Sequence, residues 1–243
     1  MKDFQTLVCT EDACEIQTVD LATPVLPQAR VLHIEMVSDW VCPYCPIGEA
    51  HLQQALQAFP ELEVTLEYSP YMLNPDFPAE GHDREAYLLQ KYGDLTPVRE
   101  SEEKLTHMAA QAGWTYRYDR MDRSPNTLNA HRLALHALRA GKQPEIAELL
   151  FKAHFKEGKD LSDLQVLLDL AEQVGLDRSE VEVYLDSDQD RSEVREKALS
   201  QKPVRGIKGA PSFFFGGVLT VTGAASPEVF EQAIRQWQES STL

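Results

Sequence analysis

Val31-Leu32-His33-Ile34-Glu35-Met36-Val37, Ser38-Asp39-Trp40-Val41 and Cys42-Pro43-Tyr44-Cys45-Pro46-Ile47-Gly48 follow one another without a break, and the reading of this chain turns on them. The first seven residues are mostly apolar and rich in β-branched side chains, which predicts a buried strand. A helical pattern runs from about residue 48 to 59, with Leu52, Ala55, Leu56 and Phe59 on one face. A second strand is expected over 62–68. Two cysteines therefore sit where a strand turns into a helix. Residues three apart on a helix have Cβ atoms about 5–6 Å apart, too far for a disulfide. Placing Cys42 at the N-cap, with non-helical dihedrals, closes that gap. Pro43 then falls at N1, where its missing N–H costs nothing. A sulfur at the N-cap faces the free amides of Tyr44 and Cys45 and the positive end of the helix dipole. Both favour thiolate over thiol, so Cys42 is the expected nucleophile and Cys45 the shielded resolving thiol. Pro46 withholds its amide from the Cys42 carbonyl, a small local cost.

Working outward, the chain has 243 residues and four cysteines, enough length to bury a full core without a disulfide or structural metal. It carries 39 acidic against 23 basic residues, a net charge of −16, which repels phosphate backbones and anionic lipid. Nucleic acid and membrane surfaces are therefore not expected as partners. The first twenty residues hold Lys2, Asp3, Glu11, Asp12, Glu15 and Asp20 and no apolar h-region, so the cytosol is the expected compartment. Thiols stay reduced there, and paired cysteines point to redox or metal chemistry rather than to a structural framework.

Leu7, Cys9, Cys14 and Ile16 flank Thr10-Glu11-Asp12-Ala13, which fits a small hairpin with a four-residue turn. Pro24 and Pro27 mark a linker. From about 83 to 200 the pattern is almost wholly helical: Ser124 and Pro125 read as N-cap and N1 of a helix ending before Gly141, and others are expected near 142–156, 163–174 and 190–200. Strands return at 212–215 and 218–221 around a two-residue Gly216-Gly217 turn, and Ser226-Pro227 opens a last amphipathic helix. The expected fold is α/β: one domain over 30–75 and 203–243, split by a helical insertion over 76–202 and preceded by an N-terminal extension over 1–29.

Residues 38–48 resemble the active-site segment of DsbA-family thiol–disulfide oxidoreductases, most closely the FrnE-like branch. So do Leu73-Asn74-Pro75-Asp76, Asn126-Thr127-Leu128-Asn129-Ala130-His131-Arg132-Leu133 and Gly206-Ile207-Lys208-Gly209-Ala210-Pro211-Ser212-Phe213. The resemblance implies a thioredoxin-like fold with a helical insertion, a cis Pro211 facing the dithiol, and an Ala210 backbone offered to a bound client strand. It also places an acid under the active site, for which Glu35 is the candidate, as proton acceptor for Cys45; read from its strand alone, Glu35 is instead a partly exposed strand residue. Many relatives carry Trp in place of Tyr44 and an aromatic in place of Pro46. Pro43 and Tyr44 tune the redox poise, so the family's potential does not carry over.

Cys9 and Cys14 would close a very short loop, worth about 2 kcal/mol as a passive staple. The preferred reading is an auxiliary redox pair that exchanges with Cys42 and Cys45. His131 and His33 read as hydrogen-bonded core histidines, Trp40 as packing beside the dithiol, and the run 186–190 as solvated surface. The expected activity is protein thiol–disulfide exchange or isomerisation on client thiols and disulfides, coupled to a thioredoxin or glutathione reducing system. It calls for no metal and no organic cofactor. The alternatives are a glutathione-dependent transferase or isomerase acting on small molecules, and a zinc-binding module built from both cysteine pairs.

Overall fold

The computed structural model describes residues 31–240 in full and, for 3–9 and 14–20, the backbone. Two N-terminal strands, β1 (Asp3–Cys9) and β2 (Cys14–Asp20), pair antiparallel with Cys9 opposite Cys14 in register. The expected turn at 10–13 and linker at 21–29 lie outside the described residues, as do the Cys9 and Cys14 side chains. Then come β3 (Val31–Ser38), α1 (Tyr44–Leu56) and β4 (Glu63–Pro70). β3 and β4 are parallel, so the chain must cross over between them, and α1 is that crossover.

A helical block follows. A two-residue ladder joins β5 (His82–Asp83) to β6 (Arg123–Ser124) and brackets α2 (Arg84–Tyr92) and α3 (Thr96–Gln111). Next are α4 (Leu128–Arg139), α5 (Gln143–Phe151) running on into a π-helical turn Lys152–Lys156, α6 (Leu164–Gln173), α7 (Arg178–Asp186) and α8 (Arg191–Arg205). The chain returns through β7 (Ser212–Phe215), β8 (Leu219–Thr222) and α9 (Pro227–Ser240). The strands line up as β2-β1-β8-β7-β3-β4.

Several expectations shift. Ser124 does not cap a helix, because its backbone pairs with His82 in the ladder; α4 starts at Leu128, whose amide bonds the Asn126 side chain. The helical block ends at Arg205 rather than 202, stopped by Gly206 at φ 67°. The β7–β8 turn spans three residues, since Phe215 pairs with Leu219. Gly216 is demanded there twice over: φ is 56°, and a Cβ would lie 2.3 Å from the Trp237 indole nitrogen. His33 is not a core residue. β3 alternates along most of its length, with Leu32, Ile34 and Met36 buried toward the main core while His33 is exposed and bonds Thr65 Oγ1 at 2.8 Å.

The run 186–190 is only partly solvated surface. Asp186 and Asp188 face water, but the carbonyls of Ser187 and Gln189 and the Asp190 carboxylate are held by α4. Arg139 pairs with the Asp190 carboxylate, and the carbonyls are held by Arg132, which is fully buried and donates to those of Tyr184, Leu185, Ser187 and Gln189 at 2.7–3.1 Å. It closes the open end of α7.

Candidate active site

At the end of β3 the chain makes a tight turn, with Cys42 N–H donating to the Asp39 carbonyl at 3.0 Å. Cys45 N–H then donates to the Cys42 carbonyl at 3.1 Å, and Pro43 already has helical dihedrals at φ −67° and ψ −20°. Regular α-helix begins one residue later than expected, at Tyr44. The reason is Pro46: the Cys42 carbonyl would take its first i+4 bond from residue 46, which has no N–H, so it accepts the i+3 amide of Cys45 instead.

Both cysteines are reduced and buried, Cys42 at 3% and Cys45 at 0% exposure, while Tyr44 between them is 41% exposed. Burial first, and then the neighbouring Cys42, push the Cys45 thiol well above its ordinary range. The Cys42 thiol donates to the Ala210 carbonyl across 3.3 Å, and the Ala210–Pro211 peptide is cis. The Ala210–Pro211 peptide is thus brought to the cysteine pair from 168 positions away in the chain.

The turn is held from three sides. Asp39 is fully buried, accepts the Leu73 amide at 2.7 Å and lies 3.4 Å from His131 Nε2, which also reaches the Tyr71 carbonyl at 2.9 Å. His131 is the hydrogen-bonded core histidine that the sequence suggests. Trp40 packs between Tyr68, His131 and Phe151. From the insertion, Tyr116 donates its hydroxyl to the Pro43 carbonyl at 2.5 Å. A cavity of about 420 Å³ opens beside Val41 and Pro43, bounded by Leu73, Tyr118, His154 and Phe155.

Glu35 is not under the dithiol. It points from β3 to the opposite face from Leu32, Ile34 and Met36, where Arg205 holds both carboxylate oxygens at 2.7 and 2.8 Å and Ser69 bonds one at 2.5 Å. Partial burial works against its charge, but the Arg205 and Ser69 hydrogen bonds outweigh it and hold the carboxyl below its ordinary value of 4.5. It is a committed ion-pair partner and a poor base.

The carboxyl on the dithiol's side is Glu49, which the sequence reading missed. It lies four residues after Cys45 on α1, a spacing that puts both on one helix face. Its stem is half-buried, but the tip is not: Oε2 is buried without a partner and Oε1 accepts the Tyr68 hydroxyl at 2.6 Å. Burial, resisted by Tyr68 and aided by Glu148, pushes this carboxyl up to about 7. The folded state therefore holds a proton there between 4.5 and 7 that the unfolded chain has released. That stabilisation is complete below about 4.5 and is lost as pH rises through 7. Replacing Glu49 by Gln should accordingly stabilise the protein, relative to wild type, by on the order of 3 kcal/mol more at pH 8 than at pH 5. Urea unfolding of both proteins at the two pH values checks this; an identical difference at both would refute it.

Among the described residues no three His, Cys, Asp or Glu side chains are grouped to hold a metal ion, and no helix is long and apolar enough to cross a membrane. The DSBA-like thioredoxin domain family matches residues 33–235. The uncharacterised protein YwbO of Bacillus subtilis is 29% identical over 209 residues, covering 86% of this chain and 98% of its own. A probable DsbA oxidoreductase from Streptomyces coelicolor superposes with a TM-score of 0.77 at 29% identity, over 86% of this chain and 90% of its own. The cytosolic disulfide reductase DsbM of Pseudomonas aeruginosa, solved with GSH, shares the fold at a TM-score of 0.56 and 16% identity, over 85% and 99%.

Proposed function

This chain belongs to the DSBA-like thioredoxin domain family and is a disulfide oxidoreductase, and we propose that Cys42 is its nucleophile and Cys45 its resolving thiol. The observation that carries the assignment is the pair of free thiols at the start of α1, one of them against the Ala210 carbonyl. The Cys42 thiolate attacks a client disulfide, a Cys42–client bond forms, and the client's other sulfur leaves as thiolate. Cys45 then attacks Cys42, closing the Cys42–Cys45 disulfide and releasing the client reduced. Run backwards, the same steps oxidise a client dithiol. Once Cys42 is in a mixed disulfide it has no S–H to give, and the Ala210 carbonyl is free to accept a client backbone N–H. Client proteins dock there, Pro43 and Tyr44 tune the poise, and a thioredoxin or glutathione system resets the dithiol in the cytosol.

We assign Cys9 and Cys14 as an auxiliary pair of the FrnE-like type. The backbone supports this reading: β1 runs parallel to β8 with Val8 beside Thr222, and the next residue, Gly223, donates its amide to the Pro211 carbonyl at 2.8 Å. The strand end that carries Cys9 is therefore on the same edge as Pro211.

Cys45→Ser protein tests both assignments. Mixed with a disulfide-bonded client it should accumulate a reductant-sensitive adduct that maps to Cys42. No adduct would refute the nucleophile. Absence of any Cys42 cross-link to Cys9 or Cys14, in cis or in trans, would refute the relay. The cavity beside Pro43 favours one second reading, a glutathione-dependent transferase or isomerase on small molecules. Conjugation of glutathione to a small electrophile would support it; the intact second thiol, Cys45, argues against it.

A further inference from the structure

Glycine weakens a helix interior, because it loses more conformational freedom on folding than any other residue. Gly48 nevertheless stands in the second turn of α1, three residues after Cys45. Its backbone is ordinary α-helix, so no dihedral asks for glycine there. Close approach does. A Cβ at this position would stand 3.2 Å from Pro211 Cγ, 3.2 Å from Phe213 Cζ and 3.3 Å from Ala224 Cα. The residue before β7, the strand itself and the corner between β8 and α9 all close on the space that a methyl group would fill.

These walls are tied to one another. Gly223 donates its amide to the Pro211 carbonyl at 2.8 Å, and the His51 ring, one turn further along α1, bonds the Ala225 carbonyl at 2.9 Å. So α1 holds the corner 223–225, and the corner holds Pro211. Phe213 is fully buried and meets Phe230 edge-on at 4.8 Å, so its ring has no room to retreat. Of the five residues from Gly206 to Ala210 only Ile207 is buried, which leaves the Pro211 wall as the one with room to give. Ala210, next to it, carries the carbonyl that meets the Cys42 thiol at 3.3 Å.

We propose that Gly48 is a positioning residue for thiol–disulfide exchange: its missing side chain lets Pro211 seat directly on α1, which fixes the Ala210 carbonyl at the distance from Cys42 that a client backbone N–H requires. The proposal rests on the reading of Cys42 as nucleophile and of Ala210 as the docking carbonyl. A methyl group at 48 pushes the Pro211 wall outward by a few tenths of an ångström. The sulfur stays where it is, since its turn is held by Asp39 and Tyr116. The carbonyl then no longer matches a strand joined to that sulfur. Gly48 therefore acts on docking and not on the sulfur chemistry, and His51 acts in the same sense through Ala225 and Gly223.

Two disulfides separate these effects in Cys45→Ser protein, which stops at the Cys42 adduct. One is a disulfide-bonded peptide, with backbone N–H groups to dock; the other is hydroxyethyl disulfide, which has none. Adding Gly48→Ala should raise the half-saturating peptide concentration about tenfold, the worth of one hydrogen bond, with the maximal rate of adduct formation little changed. The rate with hydroxyethyl disulfide should stay within about twofold. Adding Phe213→Leu as well makes room beside the new methyl group and should recover much of the peptide binding. His51→Ala adds no bulk and frees the corner, so it should raise the same concentration about threefold. Unchanged half-saturation in folded Gly48→Ala would overturn the proposal, as would equal losses with both disulfides. Where Gly48→Ala fails to fold, His51→Ala decides by the same comparison. If Cys45→Ser alone forms no adduct with either disulfide, the failure belongs to the nucleophile assignment instead.

Discussion

Cys42→Ser protein should lose at least about 1,000-fold of its disulfide-exchange rate while keeping its thermal stability. Exchange needs an anionic sulfur, and a serine hydroxyl holds its proton throughout the neutral range and forms no stable bond to a client sulfur. Fold and chemistry separate cleanly at this position. The oxygen is smaller than sulfur but can still donate to the Ala210 carbonyl, as the thiol does. The helix start depends on Pro43 and Pro46, which the change leaves alone. Insulin reduction and refolding of a scrambled substrate read the activity, and a melting curve reads the fold. Retention of a tenth of the wild-type rate would mean that another thiol performs the attack, and Cys42 would lose its role.

The second large effect is structural. Arg132→Met should destabilise the protein by about 3–5 kcal/mol, the range for breaking a buried charged network. For a chain of this size that lowers Tm by roughly 10 °C or more. The guanidinium donates to four carbonyls, two of them in the last turn of α7, and lies over the Tyr184 ring at 5.0 Å. Methionine fills much of the volume and leaves those acceptors bare. Lysine should rescue less than half, because one ammonium cannot match the spread of a planar fork. Urea unfolding measures all three proteins, and a loss under 1 kcal/mol for Arg132→Met would show that water replaces the network. Activity measured well below the unfolding transition should be little changed, since Arg132 touches neither cysteine.

The two carboxylates on α1 and β3 give stability opposite pH dependences. Glu35, held below its ordinary value by Arg205, contributes stability at neutral pH that is lost as the pH falls through its folded-state value. Glu49 contributes in acid and loses its contribution as the pH rises through about 7. The sequence shows two glutamates near a dithiol and does not say which is which. Strand alternation along 31–37 could have warned that Glu35 sits opposite Ile34 and Met36, and the four-residue step from Cys45 could have pointed to Glu49.

Much of the rest was legible for local reasons. A β-branched run, a short polar turn and a proline at N1 confine the dithiol to the start of a helix within fifteen residues, whatever the remainder of the chain does. The Asp163 cap and the Gly206 stop obey the same short-range rules. Ser124 misled because a partner 42 positions away in sequence, His82, took its backbone.

What the sequence by itself determined is therefore a local setting: Cys42 and Cys45 at a strand–helix junction in an α/β chain. What only the tertiary structure decided is which distant groups meet that junction. Ala210 comes to Cys42 from 168 residues away, Arg205 claims Glu35 from 170, and Tyr68 crosses from β4 to Glu49. Short-range rules act through backbone dihedrals and bonds a few residues long, so a single stretch of sequence carries them. The choice of face and partner is made when layers pack and buried polar groups must find one another, and no local pattern records that.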